Sequence, residues 1–226
     1  MTAPPSHAKR SPDVPPVAVN YDRMSRWYDW LAAPAEWPAV SAGVRMAALA
    51  DGERVLELGS GVGRALEQFG HAAGASGAVV GVDLSTGMNR RARGRIANAG
   101  LSERVIVIDG DAENLPYDDD TFDAVFMSFF LELLYGDKTR RVLAECRRLL
   151  KPGGRLVVVA ISADGAPTIA LRLYRWAHRK FPALVDCRPI DVESALEGAG
   201  FSVEKSERMQ MWRLPVALVA ARPKAP

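Results

Sequence analysis

Three carboxylates stand where this sequence could do chemistry. Glu57 lies within VLELGSGVGR (residues 55–64), Asp83 ends GVDLS, and Asp111 sits in IDGDAENLPY. A carboxylate at the end of an apolar run can accept hydrogen bonds from both hydroxyls of a ribose, which suits Asp83. One following the next apolar run can accept from an exocyclic amine of a base, which suits Asp111, with the small Ala112 beside it to let a ring lie flat. Glu57 precedes Gly59, Gly61 and Gly63, where the absence of Cβ atoms lets backbone approach a ligand closely. A carboxylate at that place repels a pyrophosphate and attracts a cation.

These side chains must be held by strands that end on one edge. The periodicity predicts strands over 54–58, 78–83, 105–109, 122–128 and 155–160. Helices are expected over 64–73, from Ser85 to Ala99, over 137–150 and over 192–198. Residues 151–154 read as a turn, and the segments from Phe201 and over 214–221 read as closing strands. Strands alternating with helices imply an α/β domain with a parallel sheet and right-handed crossovers. Ligands of such sheets bind at the carboxyl ends of the strands.

Two nucleotide classes share this layout. Dinucleotide oxidoreductases use G-x-G-x-x-G, and their third glycine would fall at Arg64 here. S-adenosylmethionine carries an ammonium and a sulfonium and no phosphate, so Glu57 favours it over NAD.

The order VLELGSGVG, GVDLS, GDAENLPY, FDAVFMSFFLELL and LKPGGRLVVV resembles the class I S-adenosylmethionine-dependent methyltransferases. Within them it is most similar to the branch of ubiquinone and menaquinone biosynthesis methyltransferases. The resemblance covers about residues 19–221 and also touches YDRMSRWYDWL near the N-terminus. The quinone enzymes continue that early motif into a Ser/Gly/His-rich stretch, where this chain reads YDRMSRWYDWLAAPAEWPAV. The resemblance implies a Rossmann-like three-layer sandwich with a seven-stranded, mostly parallel sheet and a reversed last strand. It implies Glu57 near the methionine amino group, Gly59, Gly61 and Val62 beneath the amino-acid portion, and Asp83 on the ribose. It further implies Asp111 and Ala112 at the adenine, Ser128 facing the methionine part, and Tyr21 covering the cofactor.

The acceptor side is less sharply written. His178 and Tyr28 are candidate acceptor-site groups, each set against a plain reading as an exposed histidine and a packing aromatic. Residues 167–182, with Arg172, Arg175 and Arg179 on one side and Ile169, Leu173 and Trp176 on another, have the pattern of a lid or of a helix lying on an anionic membrane. Either points to an apolar acceptor, a quinol ring or a phospholipid head group among them. From other classes, an NAD-linked oxidoreductase and a non-catalytic cofactor-binding module remain as alternatives.

Composition bounds the rest. The chain has 226 residues and a net charge of +2, with nothing that suggests a nucleic-acid partner. Cys146 and Cys187 are too few for a disulfide framework, lack metal spacing and read as buried filler. Residues 1–18 are rich in proline and read as an extended or disordered tail without a secretory h-region. The expected domain runs over 19–226, with cap elements near 19–50 and 165–190. With no apolar run long enough to span a bilayer, a cytoplasmic protein is expected, peripheral to the membrane at most.

Overall fold

The structure, a computed structural model, describes residues 33–163 and 188–224. Helix α1 (Ala33–Ala47) leads into β1 (Arg54–Leu58), α2 (Arg64–Ala72), β2 (Ala78–Asp83), α3 (Thr86–Asn98) and β3 (Val105–Asp109). Then come β4 (Phe122–Ser128), a 3-10 turn (Leu131–Leu133), α4 (Asp137–Leu149), β5 (Leu150–Ile161), α5 (Val192–Gly198), β6 (Phe201–Met211) and β7 (Leu214–Pro223). The seven strands form one sheet in the order β3-β2-β1-β4-β5-β7-β6. β1 to β5 pair in parallel, and β7 runs antiparallel to both β5 and β6. The last strand is thus the reversed one, as expected. β1 has β2 on one side and β4 on the other, so the strand order reverses there and opens a crevice at its carboxyl end.

Both faces of the sheet are covered. Val40, Val44, Phe69, Ile96, Phe126 and Val159 form one apolar layer; Leu56, Phe122, Leu143, Leu149, Leu196 and Phe201 are among the other. Central strands buried on both faces explain their near-continuous apolar sequences. Cys146 is fully buried in the second layer; Cys187 lies outside the described residues.

One expectation is corrected, and one proline needs a reason. Pro38 lies inside α1. It is on the exposed side, where the carbonyl it leaves unbonded can meet water, while Ala39, Val40, Val44 and Ala47 anchor the helix from beneath. Lys151–Gly154, expected as a turn before the strand, belongs to β5. Pairing with β4 jumps from Phe122–Leu150 to Ala124–Arg155, so the KPGG residues form a bulge rather than a reversal.

β6 and β7 meet in a two-residue turn, Trp212 (φ 48°) and Arg213 (φ 66°), which has the positive φ values of a type I′ hairpin. Both are L-residues in left-handed backbone, at a cost of roughly 1–2 kcal/mol each.

Candidate cofactor site

The glycine loop is folded back over the end of β2. The N–H groups of Gly59 and Ser60 both donate to the Val82 carbonyl, at 2.8 and 3.1 Å. All three loop glycines have positive φ. At Gly59 there is also no room: a Cβ would stand 2.4 Å from Cδ2 of Phe130. At Gly61 a Cβ would meet nothing within 4 Å, so the loop's outer side faces open space. Gly63 begins α2 and lies against Ala92 of α3. The next position is Arg64, whose guanidinium stands 5.8 Å over the Trp37 ring.

Two carboxylates lie under and beside this loop. Glu57 is 2 % exposed. Leu66 donates a backbone hydrogen bond to its carboxylate, and Oε2 has no hydrogen-bond partner among the described residues. Burial, and then the charge of Asp83, push the Glu57 carboxyl well above the usual carboxylate range. Asp83, at the end of β2, is half-buried and accepts from the N–H groups of Gly61 (2.9 Å) and Ser85 (2.8 Å). It therefore ties the glycine loop to the start of α3. Ser85 in turn accepts from the Met88 N–H and caps that helix.

A residue that sequence reasoning passed over holds the strand ends together. Asn89 is fully buried. Its amide donates to the Asp83 carbonyl (2.9 Å) and to Asp109 Oδ1 (2.7 Å). Arg93 joins from the next turn, reaching the Val107 carbonyl and Asp109 Oδ2. In the sequence both sit in MNRRAR, a stretch that looks like a solvated helix face. Leu84 was also missed: it follows Asp83 on the same edge and is 56 % exposed, an apolar surface beside a carboxylate.

Asp111 and Ala112 follow β3 on this edge. Asp111 is exposed and accepts from the Glu113 N–H, while Ala112 is buried. Their loop is fastened from below. Arg148 of α4 bonds the carbonyls of Leu115 and Tyr117, and Glu145 accepts from the Leu115 N–H at 2.8 Å. Arg148 also pairs with Glu145 and with Asp119. The acidic run Asp118–Asp120 is exposed, as a solvated loop should be, yet Asp119 is one of the groups that anchor it. Ser128 ends β4, partly exposed, opposite Val159. Phe129 then takes a positive φ (50°) and Phe130 turns under Gly59. Glu132 is fully buried and accepts from the Ile161 N–H at 3.1 Å, joining this segment to the end of β5. The Val62 carbonyl accepts from Arg95 Nε, and Nη1 of the same guanidinium pairs with Glu67.

The structure thus brings Glu57, Gly59, Gly61, Val62, Asp83, Asp111, Ala112 and Ser128 to one edge of the sheet. Tyr21, Tyr28 and His178 lie outside the described residues. Among the described residues, no cluster of His, Cys, Asp and Glu is arranged to hold a metal ion.

A family model described as a methyltransferase domain matches residues 55–154. A demethylmenaquinone methyltransferase of Clavibacter sepedonicus is 41 % identical over 158 residues, 68 % of this chain and 61 % of that protein. A ubiquinone/menaquinone biosynthesis C-methyltransferase of Pseudomonas paraeruginosa is 30 % identical over 181 residues, covering 79 % of this chain and 68 % of that one. The chain belongs to the class I S-adenosylmethionine-dependent methyltransferases.

Members of this family share the fold widely. The Burkholderia thailandensis 1,6-didemethyltoxoflavin-N1-methyltransferase, solved with its acceptor and S-adenosylhomocysteine, superposes with a TM-score of 0.68 at 21 % identity, over 96 % of this chain and 94 % of that one. The matches to the first curated relatives span 57 to 61 % of those proteins' length.

Proposed function

We propose that this protein transfers a methyl group from S-adenosylmethionine to a small, apolar acceptor, with a demethylated quinol ring as the first choice. The observation that carries the donor half is the buried, unpartnered Oε2 of Glu57, near the end of the strand that runs into the glycine loop. An orphaned buried carboxylate oxygen is costly unless a ligand completes it, and a cationic amino group does so.

The other residues fit the same ligand. Gly59, Gly61 and Val62 would run beneath its amino-acid portion. Asp83, already oriented by two backbone N–H groups, would accept from the ribose hydroxyls. Leu84 offers an apolar face to the adenine, with Asp111 accepting from its amine and Ala112 leaving space. Ser128 would face the methionine part. Tyr21, proposed to cover the cofactor, lies outside the described residues. An NAD-linked alternative fits less well: the third dinucleotide glycine is Arg64, and Glu57 opposes a pyrophosphate.

When bound, S-adenosylmethionine supplies a methyl group already activated on a sulfonium. The protein's part is to align the acceptor with it and to exclude water, which can provide much of the rate. The names of the relatives, at 30 and 41 % identity, support a quinone ring as the acceptor.

Calorimetry with S-adenosylhomocysteine tests the donor half, and absence of binding would sink it. Incubation with labelled donor and total lipid extract tests the acceptor half. Label is expected in a prenylated ring; label in a phospholipid head group or a water-soluble product would replace the quinol.

A further inference from the structure

The strained turn at Trp212 and Arg213 lies on the same edge of the sheet as the cofactor crevice. β7 is reversed, and Ile161 at the end of β5 pairs with Val216 just after that turn. β4, which ends at Ser128, is the strand beyond β5. Trp212 is 61 % exposed and Arg213 is exposed beside it. A second aromatic–arginine pair follows β4: Tyr135, 50 % exposed, has the Arg188 guanidinium 5.0 Å over its ring. At one strand spacing of about 4.8 Å, β4 and the β6–β7 turn stand roughly 10–15 Å apart.

A single exposed aromatic is ordinary. The backbone at Trp212 is not. Nine glycines take positive φ among the described residues, against five other residues, Ala48, Asp120, Phe129, Trp212 and Arg213. Trp212 and Arg213 are the only two adjacent non-glycine residues there among those described. Asn-Gly would adopt this turn freely. Strain of this kind concentrates where a side chain must be presented. What is presented is an indole with a guanidinium; the Tyr135 phenol under Arg188 follows β4, two strands away from β7 in the sheet.

Indole and phenol rings settle at the boundary between lipid head groups and acyl chains, and arginine pairs with lipid phosphates. We propose that the β5–β7 end of this edge, away from the carboxylates that follow β2 and β3, rests on an anionic lipid surface, with Trp212 in the interfacial layer and Arg213 and Arg188 against the phosphates. The positive charge of the two arginines and the negative charge of the surface are complementary, and each contact adds to a weak, reversible attachment. The inference goes beyond the acceptor proposed above and does not depend on it.

The test is co-sedimentation of the full chain with vesicles of phosphatidylglycerol and phosphatidylcholine, and with phosphatidylcholine alone. Binding to the anionic vesicles is expected to exceed binding to the neutral ones by about tenfold or more, and to fall with salt. Trp212→Asn combined with Arg213→Gly should lose about tenfold of that binding and keep or raise the melting temperature, since the turn is relieved. Trp212→Ala alone, which leaves the Arg213 backbone untouched, should weaken binding in the same direction. Wild-type protein that stays in the supernatant with anionic vesicles overturns the proposal. So do variants that sediment as fully as wild type. Self-association through Trp212 without vesicle binding also overturns it, making the turn a contact between copies of this chain.

Discussion

The Gly61 amide donates to Asp83 Oδ2 at 2.9 Å, so the carboxylate proposed for the ribose also shapes the loop proposed for the methionine end. The two halves of the site are therefore not independent. Asp83→Ala removes the ribose acceptor and releases the N–H groups of Gly61 and Ser85 together. It should weaken S-adenosylhomocysteine binding by about a hundredfold, as two charge-assisted hydrogen bonds would. Isothermal calorimetry measures this, and unchanged affinity would remove Asp83 from the ribose.

Glu57 should work against stability and for binding. Its folded carboxyl is raised above its unfolded value, so its contribution to stability is greatest below the ordinary carboxylate range and is lost as pH rises toward the folded value. Glu57→Gln should raise the melting temperature of the ligand-free protein at neutral pH and weaken its hold on the cationic donor. In the wild type, donor affinity should climb with pH as Glu57 ionises; in the variant this climb should vanish. Thermal scans and calorimetry across pH read both.

Gly59→Ala places a methyl group against Phe130 in a backbone region that alanine avoids. It should cost roughly 2 kcal/mol or more in denaturant unfolding. Gly61→Ala shares the backbone strain (φ 51°) but meets nothing within 4 Å, so it should cost less in unfolding than Gly59→Ala yet bind donor less well, because the added methyl fills the ligand's side of the loop.

Arg148→Ala should loosen the loop bearing Asp111 from a distance. It leaves Glu145, only 8 % exposed, without its partner, and frees the carbonyls of Leu115 and Tyr117. A loss of about 2–3 kcal/mol is expected. The hydrogen bond from Arg148 holds the Glu145 carboxyl below its ordinary value. The stability it contributes is therefore present above the usual carboxylate range and lost as pH falls through the folded value. Acid unfolding should lose that component in the variant.

Cys146 is buried and its thiol is pushed far up by desolvation. It should resist a thiol reagent in the folded protein and react only on unfolding, at the rate of global opening. Fast reaction under native conditions would contradict its place in the core.

Much of this was written in the chain. The apolar runs at 54–58, 78–83, 105–109 and 122–128 coincide with strands; β1, β2 and β4 are buried on both faces, while the edge strand β3 leaves Ile106 exposed. Glu57 and the glycine loop were legible because a carboxylate and glycines are unusual between a buried strand and a helix. Asn89, Arg93 and Arg148 were not. Each is a polar residue in a polar helical stretch, and its role depends on reaching backbone carbonyls on other elements, contacts no local pattern records. The KPGG bulge was hidden for a related reason: turn residues are also bulge residues, and only the partner strand tells them apart.

The strand order carries a last consequence. β1, from the first half of the chain, is hydrogen-bonded to β4, from the second, and the crevice lies over that seam. A cut in the exposed run at Asp118–Asp120 would leave two fragments whose shared border is this seam. A ligand seated across it would act as a rivet between them. Its concentration would then set how much split protein reassembles, turning the fold into a sensor of its own methyl donor.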